Sequence, residues 1–370
     1  MAIRDFLALS EKQRALPDRV RGFLADRLAS GELHGGLDTQ PGYSPELHAC
    51  LTNEMGLAGL TIPEEFGGLG LSLADACVVH TELGRVLYPG PLVCNCLAAA
   101  ALLAAGDREA RQHWLPLVAH GSVTATVAAA DEAGRWSSGP ENVQAEPAID
   151  GWRLSGRRWY VIAAHVADIV VVPATIESST AMFLLKSGSS GLTVSRQLSL
   201  DLTRRISIVT LDETPALLLS RDTAAVASQA AAEQELLLAT AAEAAGGIGW
   251  CLDASIASAE DREPADRRPG SFQAVANSFV DMLSDLRDVS EATGRAAVAA
   301  ANGAGESIRE ARAVALKASE SYRAAAEACI HLLGGTGVAR EQEAYLHYRR
   351  AWSTQQLVGG PLADRAPEQQ

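Results

Sequence analysis

The stretch HLLGGTGVAREQEAYLHYRR, residues 331–350, gathers His331, Glu341, Glu343, His347 and three arginines around three glycines. An imidazole near a carboxylate can move a proton, and arginines can hold an anion. The same residues equally suit the polar end of a helix bundle, where a carboxylate at a helix start meets free N–H groups. Which of these applies decides whether the chain carries out proton chemistry itself or supports a partner that does. Arg349-Arg350 read by default as surface charges. Glu260, Asp261, Glu263 and Asp266 form an acidic cluster, but Arg262, Arg267 and Arg268 interleave with it, which suggests a mutually neutralising helix end. Cys94-Asn95-Cys96 has no neighbours at metal-ligand spacing, so no metal site is expected. His80 lies on an apolar stripe and reads as a hydrogen-bonded core histidine.

Other motif classes are missing. GGLGLS, GGIGW and GGTG do not sit between a strand and a helix as a dinucleotide or phosphate loop requires. There is no nucleophile elbow and no zinc-protease helix.

The elements that must position these residues fall into three regimes: residues 1–118, 119–221 and 222–370. In the first, Leu73, Cys77, His80, Leu83 and Leu87 recur at helical spacing. Ser72, followed by Asp75, marks a helix start. In the second, the pattern turns to period two with β-branched residues. Asp150-Gly151 predicts a hairpin. ADIVVVPATI, AMFLLK, GLTVSRQL and ISIVTL continue as short strands, suggesting a small antiparallel barrel or sandwich. In the third, alanine-rich helices return. Phe272, Val275, Phe279, Leu283, Leu286 and Val289 are expected on one face of a helix entered at Pro269-Gly270. The fold class is therefore α+β and multidomain: an N-terminal helical domain, a middle β domain and a C-terminal helix bundle.

The chain has 370 residues, is 48% apolar and 21% charged, and carries a net charge of -14. That charge disfavours nucleic acid and anionic membranes as partners. The amino-terminal segment is too charged for a signal peptide, and no apolar run is long enough to span a bilayer. The six cysteines sit in apolar surroundings and suggest buried thiols in a reducing cytoplasm.

GLTIPEEFGGLG, GWRLSGRRWYVIAAHVADIVVV, RPGSFQAVANSFVDM and HLLGGTGVAREQEAYLHYRRA, in this order and spacing, resemble the acyl-CoA dehydrogenase family over nearly the whole chain. LDLTRRISIVTLDETPA further resembles actinobacterial members built of paired, unlike subunits. The resemblance implies FAD-linked α,β-desaturation of an acyl thioester: a carboxylate takes the α-proton and the flavin takes the β-hydride. It also implies an acyl-CoA or acyl-carrier substrate, a homologous partner subunit in a dimer or tetramer, and an electron-accepting flavoprotein if the chain is active.

Carried over position by position, the resemblance is uneven. The family's two alternative base positions fall on Val358 and Ala239, and neither side chain can accept a proton. Gly134 and Ser137 match the loop lying against flavin and substrate, with Asp131 in place of a threonine, a charge expected to face the electron-accepting ring. Tyr160 matches an aromatic that shields the flavin, while Ile162 replaces a threonine expected near N5. Arg262 matches a pyrophosphate ligand, but Pro264-Ala265-Asp266 replace the residues that would follow. His331, Gly334 and Gly335 match a segment reaching a neighbouring subunit's flavin. These departures imply a degenerate partner subunit, with FAD shared with or held by another chain. Two alternatives stay open. One is a self-sufficient flavoenzyme with a relocated base, Glu243 or Glu341; Glu243 lies in AAEAAGG, where burial would raise its pKa, unless it pairs with a polar group between helices. The other is a repurposed family member without redox chemistry. Arg157, Arg158, Arg204 and Arg205 either contribute to a CoA pocket or are strand-edge charges.

Overall fold

A computed structural model describes residues 11–29, 31–136, 143–260, 269–301, 307–334 and 343–358. Among the described residues six α-helices come first: α1 (Glu11–Ala29), α2 (Glu32–Gly35), α3 (Pro45–Ala49), α4 (Leu73–Arg85), α5 (Leu92–Ala105) and α6 (Arg108–Ala119). Local chemistry sets several of their ends. Ser44 caps α3 by accepting from the Leu47 N–H at 3.2 Å, and Asp107 caps α6 by accepting from Ala110 at 2.6 Å. Between them α5 stops at Gly106, whose φ of +86° only glycine adopts freely.

Seven strands follow: β1 (Ala125–Val127), β2 (Val143–Ala148), β3 (Gly151–Ile162), β4 (Ile169–Ile176), β5 (Ser179–Lys186), β6 (Leu192–Arg196) and β7 (Ile206–Arg221). The order β4-β2-β3-β7-β5 returns to β4, closing a barrel, with β1 beside β4 and β6 beside β7. The expected barrel is present, though its pairing is mixed: β4 runs parallel to both β1 and β2, and the other pairings are antiparallel. The hairpin forms where predicted. Ala148 pairs with Gly151, so Ile149 and Asp150 make the turn and Gly151 opens β3 at φ +133°. Leu154, Val170, Val172, Phe183, Val209 and Leu211 fill the interior.

The chain then returns to helix in α7 (Asp222–Glu260), α8 (Pro269–Ala301), α9 (Ser307–Leu333) and α10 (Glu343–Leu357). On α8 the expected stripe is out of phase in its middle. Met282, Leu286 and Val289 are buried, whereas Leu283 is half exposed. Phe272's side chain lies outside the described residues.

Strand gives way to helix between Arg221 and Asp222, and the compact units interleave. Among the described residues one unit gathers those up to His34, Leu73–Tyr88 and those from Leu237 onward; the other gathers Gly35–Ser72 and Pro89–Leu236. The reason lies in α4. It is buried along nearly its whole length, so it has no solvent face and belongs to the bundle's core. Gly84 of α4 lies against the backbone of Glu243, and Gly246 of α7 against the Thr81 carbonyl; a Cβ at either would collide. Gly246 of GGIGW therefore serves a helix crossing.

Candidate functional site

In the first unit, Ala239 and Val358 are both buried, 1% and 2% exposed, and Val358 belongs to the bundle's core cluster. A methyl and an isopropyl group thus stand at the two positions to which the resemblance assigned the base. One helical turn beyond Ala239, Glu243 is also buried, and its Oε2 accepts from Nη1 of Arg350 at 3.4 Å. Arg350 is 3% exposed. It is therefore no surface charge: α10 carries it into the bundle to meet the carboxylate on α7.

His347, one turn earlier on α10, is likewise enclosed. Its ring stacks on Trp250 at 4.2 Å between centroids, and the Tyr322 hydroxyl bonds Nδ1 at 2.7 Å. Burial, then the positive charges of His34, Arg350 and Arg85, hold its pKa well below the ordinary value. The Arg85 backbone opposes this shift, and with the ring held neutral Nδ1 shares its hydrogen bond with the Tyr322 hydroxyl. His347 is a neutral structural group. Tyr322 and Trp250 carry no sequence signal for this role, because each reaches the histidine from a different helix.

His331 is exposed, and its Nδ1 bonds the Glu327 carbonyl of its own helix at 2.8 Å. Gly334 ends α9 at φ +74°. Gly335, Glu341, Arg262 and Ser137 lie outside the described residues, as do Asp261, Glu263 and Asp266. The opening stretch thus supplies interior polar ties where it is described. His80 departs from expectation. It is 0% exposed, and neither ring nitrogen has a hydrogen-bond partner among the described residues. Burial lowers its pKa, opposed by the charge of Glu243.

In the second unit, the loop after β1 is bolted to β3. The Arg158 guanidinium, 1% exposed, donates to the carbonyls of Ala129 and Pro173, and Trp159 N–H donates to Ala130 at 3.1 Å. Burial pushes Arg158 down to about 10, with the charge of Asp131 opposing. Asp131 is itself enclosed. Its oxygens accept from Arg135 N–H at 2.9 Å and Arg135 Nε at 3.0 Å. Arg135 pairs with this carboxylate and Arg158 adds positive charge near it, so its charge is offset locally. Gly134 turns the loop at φ +80°, and Tyr160, 40% exposed at φ +52°, bonds the Glu132 carbonyl at 3.3 Å. Ile162 offers its carbonyl inward, to Thr126 at 2.7 Å and to the Cys94 thiol at 3.5 Å. Asn95 accepts from Ala125 N–H at 2.8 Å, so Cys94-Asn95-Cys96 joins α5 to β1. Arg158, Arg204 and Arg205 are buried and are not strand-edge charges; Arg157 alone of the four is exposed.

These described residues fit one wall of a flavin site: an exposed aromatic ring beside a fixed, glycine-turned loop whose charges, Asp131 and Glu132 against Arg135 and Arg158, offset one another.

A helical N-terminal region, a closed β-barrel and a C-terminal helix bundle define a protein of the acyl-CoA dehydrogenase class. The chain belongs to that family: residues 10–122 match the acyl-CoA dehydrogenase N-terminal domain and 236–361 the C-terminal domain. It is 30% identical over 353 residues to acyl-CoA dehydrogenase IpdE2 of Mycolicibacterium smegmatis, spanning 95% of this chain and 96% of that one. Among solved structures it resembles the ChsE4-ChsE5 complex from Mycobacterium tuberculosis, with TM-score 0.86 and 25% identity over 95% of this chain and 94% of that one. It also resembles the Tcur3481-Tcur3483 steroid ACAD, with TM-score 0.84 and 28% identity over 96% and 95% of the two chains. Members of the family bind FAD. No helix among the described residues is long and apolar enough to cross a membrane.

Proposed function

We propose that this chain is the non-basic partner subunit of a heteromeric acyl-CoA dehydrogenase acting on an acyl thioester. One observation carries the proposal: Ala239 and Val358, at both positions where the family places a base, are buried apolar side chains. Glu243 does not replace them, because its carboxylate is committed to Arg350. The proton acceptor therefore comes from the other chain. Likeness to two assemblies of paired subunits supports a partner, and one of these is named as a steroid enzyme, which favours a bulky polycyclic acyl group over a straight chain.

FAD, when bound, accepts the hydride from the β-carbon as the partner's base removes the α-proton. This chain's part is to build one wall. Tyr160 offers a ring face, Gly134 lets the loop come close, and Arg158 fixes both from behind. Ser137, Arg262, His331, Gly334 and Gly335 are the further residues assigned to FAD contact by family position. The first test is native mass spectrometry of the chain expressed alone and with its genomic neighbours. Full flavin occupancy is expected only in the mixed assembly. A stoichiometric flavin in the chain alone, bleached by acyl-CoA, overturns the proposal.

A further inference from the structure

The second unit contains a cavity of about 430 Å³ between the turn after β3, the turn after β5 and strand β6. That size suits a small ligand. Its walls are apolar at Val170, Leu192 and Val194, and polar at His165, Arg196 and Gln40.

The polar side is a cluster of cations. His165 Nε2 donates to the Pro41 carbonyl at 2.9 Å, which leaves Nδ1 as the acceptor of the neutral ring. That Nδ1 is enclosed and has no partner among the described residues. Arg196 is exposed and makes no ion pair among the described residues. Arg205 stands close behind. Its Nη groups donate to the Leu37, Thr39 and Gln40 carbonyls, while its enclosed Nε has no hydrogen-bond partner among the described residues. The three repel one another. Burial and then the charges of Arg205 and Arg196 lower the His165 pKa. Burial and then Arg196 lower that of Arg205, with Asp38 opposing. A chain of net charge -14 thus keeps an undercompensated positive cluster at the edge of an apolar cavity.

We propose that this cavity binds a phosphate monoester, its head held by Arg196 and His165 and its apolar body lying on Val170, Leu192 and Val194. Arg205 adds charge from behind. A phosphate fits better than a carboxylate because its singly protonated form, while still an anion for Arg196, keeps an O–H that can donate to Nδ1, which a carboxylate cannot do at neutral pH. The proposal is independent of the catalytic one, because its test needs no thioester and no flavin.

The test is titration calorimetry of the full-length protein with hexyl phosphate, inorganic phosphate and hexanol at low salt. Hexyl phosphate should bind about tenfold more tightly than inorganic phosphate, and hexanol should give no signal. Arg196→Ala should weaken hexyl phosphate about tenfold with an unchanged melting temperature, since this side chain is solvent-facing. His165→Gln should weaken it too. Competition then identifies the source of the phosphate. If CoA displaces hexyl phosphate and 3′-dephospho-CoA does not, the head is the CoA 3′-phosphate. If neither displaces it, the head belongs to a free phosphate ester. No binding of hexyl phosphate at millimolar concentration, undiminished binding in Arg196→Ala, or equal binding of hexanol overturns the proposal.

Discussion

Glu243 and Arg350 show how one side chain can be read in two ways until its neighbour is known. In sequence, a glutamate among alanines invites the role of a desolvated base. In the fold, an arginine from α10 reaches it across the bundle. Removing one member of a buried pair leaves an uncompensated charge, so Arg350→Met should cost about 3–5 kcal/mol in urea unfolding. Replacing both with apolar residues should cost much less. For function, Glu243→Gln should leave turnover of the assembled complex within about twofold, because the proposed base lies elsewhere. A loss of a hundredfold or more at native stability would move the base to Glu243. Cysteine burial was legible from apolar context, and it predicts reactivity. Five cysteines are buried and Cys50 is partly exposed. Ellman's reagent should therefore titrate one thiol in the native protein and six after unfolding. Two or more fast native thiols would contradict this packing. The interior ties of Arg350 and His347 were not legible, because each depends on side chains distant in sequence.

At the scale of elements, the glycines of α7 separate what local rules can see from what they cannot. Local rules associate glycine with turns, positive φ and phosphate loops. The α7 glycines are helical: Gly246 admits the backbone of α4, roughly 160 positions earlier, and Gly247 admits the Tyr322 ring of α9. Substitutions can distinguish them. An added methyl at Gly246 meets the Thr81 carbonyl and the Arg85 backbone, which cannot yield separately. At Gly249 the closest atom is the movable end of Arg85, at 3.1 Å. Gly246→Ala should therefore cost about 1–3 kcal/mol by overpacking. Gly249→Ala should be neutral or should gain several tenths of a kcal/mol from helix propensity. Thermal melts of the two variants decide it, and equal effects would refute the crossing as the cause. The Asp150-Gly151 hairpin was legible because its determinants lie within a few residues. Barrel closure was not, since β4 meets β2 and β5 through pairings that no local pattern encodes. The α8 stripe slipped at Leu283 because Met282 serves equally well as a core residue in the same turn.

For the whole molecule, buried histidines set the response to acid. His48, His80 and His347 are all enclosed, and burial lowers each pKa, that of His48 to about 4. The unfolded chain binds protons at these sites near pH 6.5, whereas the folded chain refuses them. Stability contributed by these groups is therefore present above pH 6.5 and is lost as pH falls through that value. At pH 5.5 His48 costs about 1.4 kcal/mol, and His80 and His347 act in the same direction. Glu235 acts in the opposite direction. Burial raises it to about 7, so the folded state takes up a proton before the unfolded state does and gains at most about 2 kcal/mol between pH 7 and 5.5. Three histidines oppose this one carboxyl, and urea unfolding free energy should fall from pH 7.5 to 5.5. His48→Gln should make that slope shallower by the share of one histidine, about 1.4 kcal/mol over the interval. A flat or rising stability on acidification would mean that these imidazoles titrate in the folded protein, which enclosed rings cannot do without opening the structure around them.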